Sequence, residues 1–562
     1  RNVMRRKNIF KKSMAATLAI VIASMGIGCG STSSTETSSV AESTAAASTE
    51  AAATEEAPTA ESSSAEGTEA GEEDLYGEEV TINVMAWDRG SAAPGTTTED
   101  NAMTQWIQEQ VKEKFNINVE FTSVPRAESD DKLNIMMAGG SAPDIVFTYD
   151  QNLFYNYASS GALHDLTDVY AKYGSNIEEY CSEAQPISLL GDAKYAVMKQ
   201  RGTENPRHVA YIRKDWLDEL GMELPTTKEE LGEYLYAVKE NKLGGDSTIP
   251  WAMGGRSDTE KVYLNFVGSY VNLESDRDAY IYNEAYMLVA PGAKDGLKQL
   301  NTWYNDGLIT QDFPTDTSED MYKAAIANGS AGFVLDDTTA PWSSIEVLNN
   351  NVGHETFVPV MCFDLEDGSY RNPFNPRYAM FVMIPSSVSK EKLEACMKYL
   401  NWMADPEVAV NITYTPEHET NEEGVALAPT TQEKADLGYP DNNSDFNIMN
   451  DNFFWMNDNE IMAQTGYDTQ ASEWASLEWY QNYYETRLVG KFTFPVYAYV
   501  SDAEQTYGAD IKSRMIEFAY NVICCSSDQF ETVYESGYNE LLNAGLQDIL
   551  DARAEYYDSV NG

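Results

Sequence analysis

Two pairs of an aromatic residue and an aspartate could bind a ligand in this chain. Trp87-Asp88 and Tyr149-Asp150 each follow a short run that predicts a buried strand. An aromatic face packs on apolar ligand surface, and a carboxylate accepts strong hydrogen bonds from donor groups. Ligands of open α/β sheets sit outside the carboxyl ends of the strands. We therefore expect both pairs to contribute to a ligand-binding site.

Catalytic and metal-binding signatures are missing from the sequence. The chain has 90 Asp and Glu residues, so neighbouring carboxylates arise by chance and do not indicate a hydrolase. No Ser-His-Asp ordering, HExxH motif or cluster with metal-ligand spacing is present. Asp441 to Asp445 has calcium-like oxygen spacing but lacks the glycine and distal glutamate of an EF-hand loop. We predict no enzyme, no cofactor and no metal.

The candidate residues must be positioned by an alternation of strands and helices. Residues 80–86 alternate with period two, residues 103–115 carry an apolar helical face, and residues 117–121 alternate again. A second helix ends at Gly139-Gly140 and is followed by a short buried strand at 143–147. This order is typical of a parallel sheet covered by helices. The fold class is therefore α/β.

A second α/β unit begins near His208. Residues 211–221 predict a strand end followed by a helix, and Thr227 and Glu230 have the spacing of a capping box. Further strands are predicted at 332–335 and 378–385, a helix at 390–405, and mostly helix from Ser513 onward. Trp216, Trp402 and Trp474 are predicted to be core residues.

The first 79 residues predict export and attachment to a membrane. Five basic residues after Met4 precede an apolar stretch, residues 14–27, which is too short to span a bilayer. Residues 25–30 (MGIGCG) resemble a bacterial lipobox with Cys29 as the lipidated residue, although Gly26 stands where the pattern has an aliphatic residue. Residues 30–79 contain thirteen acidic residues and no Lys or Arg, which predicts a disordered linker.

Length and charge restrict the remaining chain further. The chain has 562 residues and a net charge of -52, of which the part after the linker carries about -45. A folded part of this length exceeds one hydrophobic core. The negative charge disfavours nucleic acid as a partner. Because basic candidates are few, a strongly anionic ligand is also disfavoured.

The order of several motifs resembles the family 1 extracellular solute-binding proteins, in the branch of Gram-positive lipoproteins called LplA-like. The motifs are PDIVF at 143–147, YASSGAL at 157–163, YIRKDWLD at 211–218, PTT at 225–227, GSAGFV at 329–334, PWSSI at 341–345 and GYNELLNAGLQDIL at 537–550. The resemblance covers about residues 80–562 and is weakest over 410–510. It implies a two-lobed periplasmic-binding-protein-like fold with a hinge and extra C-terminal helices.

The resemblance also implies a division of the chain. We expect a signal peptide at 1–28, a linker at 29–79, one lobe from 80–205 plus 378–455, and a second lobe from 206–377 plus 456–562. Ligand would lie between the lobes, with closure of the hinge burying it.

The resemblance adds candidates to the two pairs already named. Trp342 matches a sugar-stacking tryptophan of the family, and Asp336 lies just upstream. Trp251 and Arg256 flank a glycine-containing loop, and Arg377 and Tyr378 lie near an expected crossing between lobes. The full set of expected ligand-binding residues is Trp342, Tyr149, Asp150, Trp87, Asp88, Trp251, Arg256, Asp336, Arg377 and Tyr378.

The function that follows is a lipid-anchored extracellular receptor of a Gram-positive bacterium that captures an oligosaccharide and delivers it to the permease subunits of an ABC importer. We expect a monomer. Two alternatives remain open: a ligand-sensing lipoprotein of a signalling system, and a secreted glycan-active enzyme. Transport and sensing share this fold, and the sequence does not separate them.

The anchor can be tested on the mature protein. Mass spectrometry of the N-terminal peptide is expected to find Cys29 carrying lipid, because a diacylglyceryl unit supplies the two chains that stable attachment needs. An unmodified N-terminus at another residue would show that the protein is not held by this cysteine.

Overall fold

A computed structural model describes residues 76–255, 261–469 and 474–562. Its strands are β1 (Val80–Asp88), β2 (Ile117–Pro125), β3 (Val146–Thr148), β4 (Leu189–Leu190), β5 (Ala193–Lys194), β6 (Val197–Gln200), β7 (Val209–Arg213), β8 (Ile249–Trp251), β9 (Ala331–Asp336), β10 (Phe357–Val360), β11 (Asn372–Pro373), β12 (Tyr378–Met383), β13 (Glu419–Thr420), β14 (Ala426–Leu427) and β15 (Lys491–Phe492).

The α-helices cover these strands and form most of the C-terminal region. They are α1 (Ala102–Phe115), α2 (Ser129–Gly139), α3 (Gln151–Ser159), α4 (Thr167–Tyr173), α5 (Ser175–Cys181), α6 (Lys214–Leu220), α7 (Lys228–Asn241), α8 (Asp276–Ile281), α9 (Ala293–Asn305), α10 (Asp320–Ala327), α11 (Ser344–Val352), α12 (Lys390–Met403), α13 (Pro406–Tyr414), α14 (Thr431–Leu437), α15 (Asn459–Thr469), α16 (Leu477–Thr486), α17 (Asp502–Cys524), α18 (Phe530–Leu541) and α19 (Gln547–Asn561).

The first sheet begins with the parallel strands predicted from the sequence. β1 pairs in parallel with β2, and a parallel bridge between Val84 and Ile145 brings the chain before β3 to the other side of β1. β12 then pairs antiparallel with both β3 and β6. The strand predicted from the period-two pattern of residues 80–86 is therefore confirmed, and its inward residues Ile82 and Val84 are buried.

The second sheet is mixed and has the strand order β10-β7-β9-β8. β9 pairs antiparallel with β7 and parallel with β8. All five residues of β7 are buried, which explains why its sequence shows an apolar run and no alternation. Helices α6 and α7 follow β7 as the sequence predicts.

The N-terminus of α7 differs in detail from the predicted capping box. The Thr227 hydroxyl accepts a hydrogen bond from the Glu230 amide at 3.2 Å, as expected. The Glu230 carboxylate, however, accepts from the amide and hydroxyl of Thr226, at 2.7 and 2.8 Å. Two adjacent threonines compete for the same carboxylate, and the sequence spacing does not reveal which one wins.

Two hydrophobic cores alternate along the chain. The first core is formed by residues between 80 and 198 and between 380 and 449. The second core is formed by residues between 209 and 363 and between 463 and 550. The α/β fold with two packed bodies is therefore confirmed, whereas the residue boundaries of the two lobes stay a prediction.

The predicted core tryptophans and the two adjacent free cysteines are both described by the structure. Trp216, Trp402 and Trp474 are all buried, as predicted. Cys524 and Cys525 lie at the end of α17, where they are half-buried and pack against the second core.

Within the described residues, no helix combines the length and the apolar character needed to cross a membrane.

Gly202 lies where two segments running between the cores touch. A Cβ atom at this position would be 1.8 Å from the carbonyl oxygen of Asp451. Gly202→Ala is expected to lower the free energy of unfolding by about 1–3 kcal/mol, since the backbone of the neighbouring segment must move. Urea unfolding would measure the loss.

A matched control is Gly139→Ala in α2, where the nearest atom to the new Cβ is 3.7 Å away. This variant is expected to keep the stability of the parent chain, and equal losses in both variants would contradict the contact at Gly202.

Candidate functional site

A cleft of about 940 Å³ lies between the two cores. The first core contributes residues around the end of β3 and the start of α3, and the second contributes residues around α8 and α17. Segments that run between the cores form its floor. Six tyrosines line it: Tyr149, Tyr280, Tyr286, Tyr378, Tyr497 and Tyr499.

Residues of two chain segments form the floor of the cleft, and a third segment is joined to them by backbone hydrogen bonds. The Arg201 amide donates to the Arg377 carbonyl at 2.8 Å, and the Gln200 amide donates to the Met449 carbonyl at 2.8 Å. The Arg207 amide donates to the Pro373 carbonyl at 2.7 Å. These three segments, 199–208, 364–379 and 449–462, are called the crossing segments below.

One wall of the cleft is the segment 493–500, which connects β15 to α17. Its residues Thr493, Phe494, Val496 and Val500 line the cleft together with Tyr497 and Tyr499. The Tyr497 carbonyl accepts a hydrogen bond from the Gln151 side chain at 2.9 Å, and the Tyr497 hydroxyl accepts from Asn561 at 3.0 Å. The segment therefore ties α3 on the first core to the C-terminal helix α19.

Tyr149 is the most exposed aromatic side chain among the described residues that line the cleft. It is 45% exposed, and its ring centroid is 5.5 Å from that of Trp87. The Arg126 guanidinium lies 4.0 Å from the Trp87 ring centroid and 5.7 Å from the Tyr149 centroid. Trp87 is itself buried, so it supports Tyr149 from below while the Tyr149 ring remains available as a stacking surface.

Four acidic side chains line the cleft, and each has a partner in the protein. Asp130 accepts from the Thr148 hydroxyl at 2.8 Å, and Asp150 accepts from the Asn152 and Leu153 amides of α3 at 2.7 and 3.1 Å. Glu284 pairs with Lys512 at 2.9 Å, and Glu504 pairs with Arg553 at 2.5 Å. The wall of the second core is thus electrostatically balanced before any ligand binds.

The pair of Glu284 and Lys512 combines a salt bridge with a strained backbone. Glu284 has a φ of 51°, in the left-handed region that costs a non-glycine residue on the order of 1–2 kcal/mol. The Lys512 ammonium lowers the pKa of Glu284, and Glu284 in turn raises the pKa of Lys512. Backbone strain held in a cleft is typical of functional sites.

Arg553 fixes the second-core wall. Its guanidinium donates to the Tyr280 carbonyl, to Asn283 at 2.7 Å and to Glu504 at 2.5 Å, and its side chain is only 8% exposed. Because all these partners lie on different elements, one side chain joins α8, the start of α17 and α19.

Arg201 differs from Lys512 and Arg553, which both pair with a carboxylate. Its Nε donates to the Pro376 carbonyl at 3.1 Å, and no carboxylate of the described residues lies within ion-pair distance of it. Burial lowers the pKa of its guanidinium. It belongs to the first crossing segment.

Three of the residues expected from the sequence come together in the cleft. Tyr149 and Asp150 follow β3, and Tyr378 begins β12 at the floor. Burial raises the pKa of Tyr378 above its ordinary value. Their contact with a ligand stays a prediction, although the structure places all three on the same cleft.

Three further residues lie beside the cleft and have structural partners. Trp87 is buried under Tyr149, and Asp88 accepts from the Gly90 amide and the Thr98 hydroxyl, at 2.8 and 3.1 Å. Arg377 pairs with Glu183 at 2.8 Å and donates to the Gly202 carbonyl at 3.0 Å. These contacts position a turn and a crossing segment.

The remaining described candidates lie apart from the cleft. Trp251 is 1% exposed within the second core and packs on Phe333, so it offers no free face to a ligand in this conformation. Asp336 accepts from the Tyr322 hydroxyl at 2.7 Å. Trp342 is 39% exposed but packs against Tyr483 and is not among the described residues that line the cleft.

Arg256 and Cys29 lie outside the described residues. The loop with calcium-like spacing uses its end carboxylates internally, since Asp441 accepts from Thr431 and Asp445 pairs with Arg89. Over the described part of the chain, no cluster of His, Cys, Asp or Glu is arranged to hold a metal ion.

Several residues that line the cleft were not predicted. Arg201, Glu284, Lys512 and the segment 493–500 are absent from the expected set. The motif FTFPVYAYV at 492–500 is rich in aromatic residues and could have drawn attention, because it lies between a short strand and a long helix. Arg201 and Lys512 carry no local pattern, and only the tertiary structure brings them together.

The fold and the cleft define a two-domain ligand-binding protein. A family model described as "Bacterial extracellular solute-binding protein" matches residues 94–410, which is more than half of the chain. The chain therefore belongs to the bacterial extracellular solute-binding proteins, as the sequence motifs predicted.

Curated relatives share about a quarter of their aligned residues with this chain. The polygalacturonan/rhamnogalacturonan-binding protein YtcQ of Bacillus subtilis is 26% identical over 40% of this chain and 45% of its own length. Lipoprotein LipO of the same organism is 24% identical over 59% and 66%. The fructooligosaccharide ABC transporter substrate-binding protein FusA of Streptococcus pneumoniae is 22% identical over 52% and 56%. The matches thus span between about half and two-thirds of these relatives.

Solved structures match over most of the chain. An extracellular solute-binding protein from Bifidobacterium longum subsp. infantis is 16% identical, with a TM-score of 0.60 over 86% of this chain and 99% of that one. FusA of S. pneumoniae in complex with kestose is also 16% identical, with a TM-score of 0.56 over 85% and 99%. At this identity the likeness establishes the fold alone.

Arg553→Met tests the construction of the second-core wall. Removing the guanidinium leaves the half-enclosed Glu504 carboxylate without its cation, so the free energy of unfolding is expected to fall by about 3–5 kcal/mol. Urea unfolding would measure it.

Arg514→Met provides the control, because Arg514 is an exposed residue of the same helix as Lys512 and pairs with Asp510 one turn away. Its loss is expected to change stability little. If both variants unfolded at the same urea concentration as the parent, Arg553 would not hold this wall together.

Proposed function

We propose that this protein is a lipid-anchored extracellular receptor that captures an oligosaccharide in the cleft and delivers it to an ABC importer. The observation that carries the proposal is a cleft of about 940 Å³ between two cores, lined by six tyrosines and by fixed polar groups. Small-molecule sites span roughly 300–1,000 Å³, and this one lies at the upper end. A chain of several sugar rings fits that size better than one ring.

The chemistry of the lining suits a carbohydrate. Tyrosine faces pack on the apolar C–H face of a sugar ring, while carboxylates and guanidinium groups bond to its hydroxyls. Tyr149 offers an exposed ring, and Asp150 lies next to it. Tyr378 lines the floor between the two cores. We propose these three residues as ligand contacts.

Capture would depend on the crossing segments. Closing the two bodies on a ligand buries it against both cores, and a ligand shifts this equilibrium only by its differential affinity for the closed form. A receptor that presents a distinct loaded shape can then be recognised by a permease. Family membership supports this role, as do relatives named for polygalacturonan and fructooligosaccharide binding and for lipoprotein character.

The ion pairs on the second-core wall do not favour a glycosidase. A general acid of that reaction needs a raised pKa, so that it is protonated at neutral pH. The Lys512 ammonium lowers the pKa of Glu284, and Glu504 is held by Arg553. We therefore favour binding without turnover.

Calorimetry and thermal unfolding of the full chain against a panel of neutral and acidic oligosaccharides would test the proposal. A ligand present at 100 times its Kd is expected to raise the free energy of unfolding by about 2.7 kcal/mol. Tyr149→Ala is expected to weaken binding about tenfold or more, since an aromatic stacking surface is lost.

The matched control is Tyr467→Ala, which removes a tyrosine of similar exposure on α15, 40% against 45%. It is expected to bind as the parent does. A panel in which no carbohydrate stabilises the protein would reject the assignment, and chemical conversion of a bound oligosaccharide would reject the non-enzymatic role.

A further inference from the structure

Two arginines beside Tyr149 lack a carboxylate partner in the described part of the chain. They are Arg126, after β2, and Arg201, in the first crossing segment. On the second-core wall, by contrast, Lys512 pairs with Glu284, and Arg553 pairs with Glu504.

Arg126 is held by aromatic rings alone. Its guanidinium carbon lies 4.0 Å from the Trp87 ring centroid and 5.7 Å from the Tyr149 centroid. Its Nε is buried and has no hydrogen-bond partner among the described residues. A cation–π contact leaves the in-plane N–H donors of a guanidinium unused, and those donors are suited to bind an oxyanion.

Arg201 approaches the same ring from the floor. It lines the cleft, and it is close enough to the Tyr149 and Tyr378 side chains to interact with both electrostatically. Only its Nε is used in a hydrogen bond, to the Pro376 carbonyl. The two terminal nitrogens of its guanidinium therefore have no acceptor among residues that the structure describes.

An arginine charge partly removed from water is costly without an anion. In a folded part that carries about -45, a carboxylate partner would be easy to supply, yet both arginines next to Tyr149 are without one. Arg201 in the lining of the cleft and Arg126 beside the Tyr149 ring are therefore both suited to bind an anion that is not part of the chain.

We propose that the captured oligosaccharide is acidic, and that one uronate ring stacks on Tyr149 with its carboxylate held by Arg126 and Arg201. This inference rests on the proposed function and deepens it. A carboxylate suits the position better than a phosphate, because Asp130 and Asp150 line the same end of the cleft and would repel a dianion more strongly. The sequence disfavours a strongly anionic ligand, and the proposal makes a local exception for a uronate carboxylate at this end of the cleft.

The test compares acidic oligosaccharides with their neutral equivalents. Oligomers of galacturonate, glucuronate and mannuronate are titrated into the full chain by calorimetry, each beside its carboxyl-reduced form, which differs only in carrying CH₂OH in place of the carboxylate. At least one acidic oligomer is expected to bind about tenfold or more tightly than its reduced form, as a charged hydrogen bond predicts.

Variants assign the effect to the two arginines. Arg201→Gln and Arg126→Gln are each expected to weaken binding of the acidic oligomer about tenfold and to leave binding of the reduced form unchanged. Arg514→Gln on the outer side of α17 is the control and is expected to bind both as the parent does. Melting temperatures equal to that of the control show that the variants fold.

A second measurement does not depend on any variant. Raising the salt concentration from about 0.05 to about 0.5 M is expected to weaken binding of the acidic oligomer and not that of the reduced form, because only the former gains from charge attraction. Equal affinity for acidic and reduced forms would overturn the inference while the proposed function stands. If no oligosaccharide of either kind bound, the proposed function would fail with it.

Discussion

The two cores are joined through hydrogen bonds between the backbones of the crossing segments. The Gln200 amide bonds to the segment after β12 and α12, while the next amide, that of Arg201, bonds to the segment before β12. The chain at 200–202 thus lies between these two segments. At Gly202 there is no room for a side chain, because the backbone of Asp451 lies against it. The position of the two cores is set here, and so is the set of residues that face the cleft. Arg201 and Tyr378 reach the floor because they stand on these segments.

The same contact would allow the cleft of the proposed receptor to change shape without loss of fold. Each core is complete within its own residues, so motion at the crossing segments leaves both cores intact. The segment 493–500 adds a second tie, through the hydrogen bond from Gln151 to the Tyr497 carbonyl. A ligand that contacts this segment and Tyr149 bonds to both bodies at once, which is how binding energy can favour one arrangement over another.

Much of the fold, and part of the site, could be predicted from the sequence. Period-two alternation and apolar helical faces gave β1, α1, β2, α2 and β3, because these elements bury a face that the local pattern records. Because ligands of such sheets sit at the carboxyl ends of the strands, Tyr149 and Asp150 could also be predicted to lie at the cleft. Trp251 shows the limit of the same reasoning: an aromatic residue after a short strand has the same local signal whether it faces a ligand or, as here, packs on Phe333 in a core. Arg201 and Lys512 are brought to the cleft by contacts between residues hundreds of positions apart, and nothing in their neighbours marks them.

The net charge of the chain does not predict the charge of the cleft, because the electrostatics of the cleft depend on which charged side chains are paired there. The folded part carries about -45, yet the cleft contains four acidic and four basic side chains within the described residues. On the second-core wall the cations and anions already neutralise each other, as in Glu284 with Lys512, so a ligand group there must compete with an existing pair and gains little. Beside Tyr149 the guanidinium groups have aromatic or carbonyl neighbours, so a carboxylate that bound there would not have to break an existing ion pair. Under the proposal, the free energy of recognition would therefore come mainly from the first-core side and the floor, while the opposite wall would mainly set the shape that a ligand must fit.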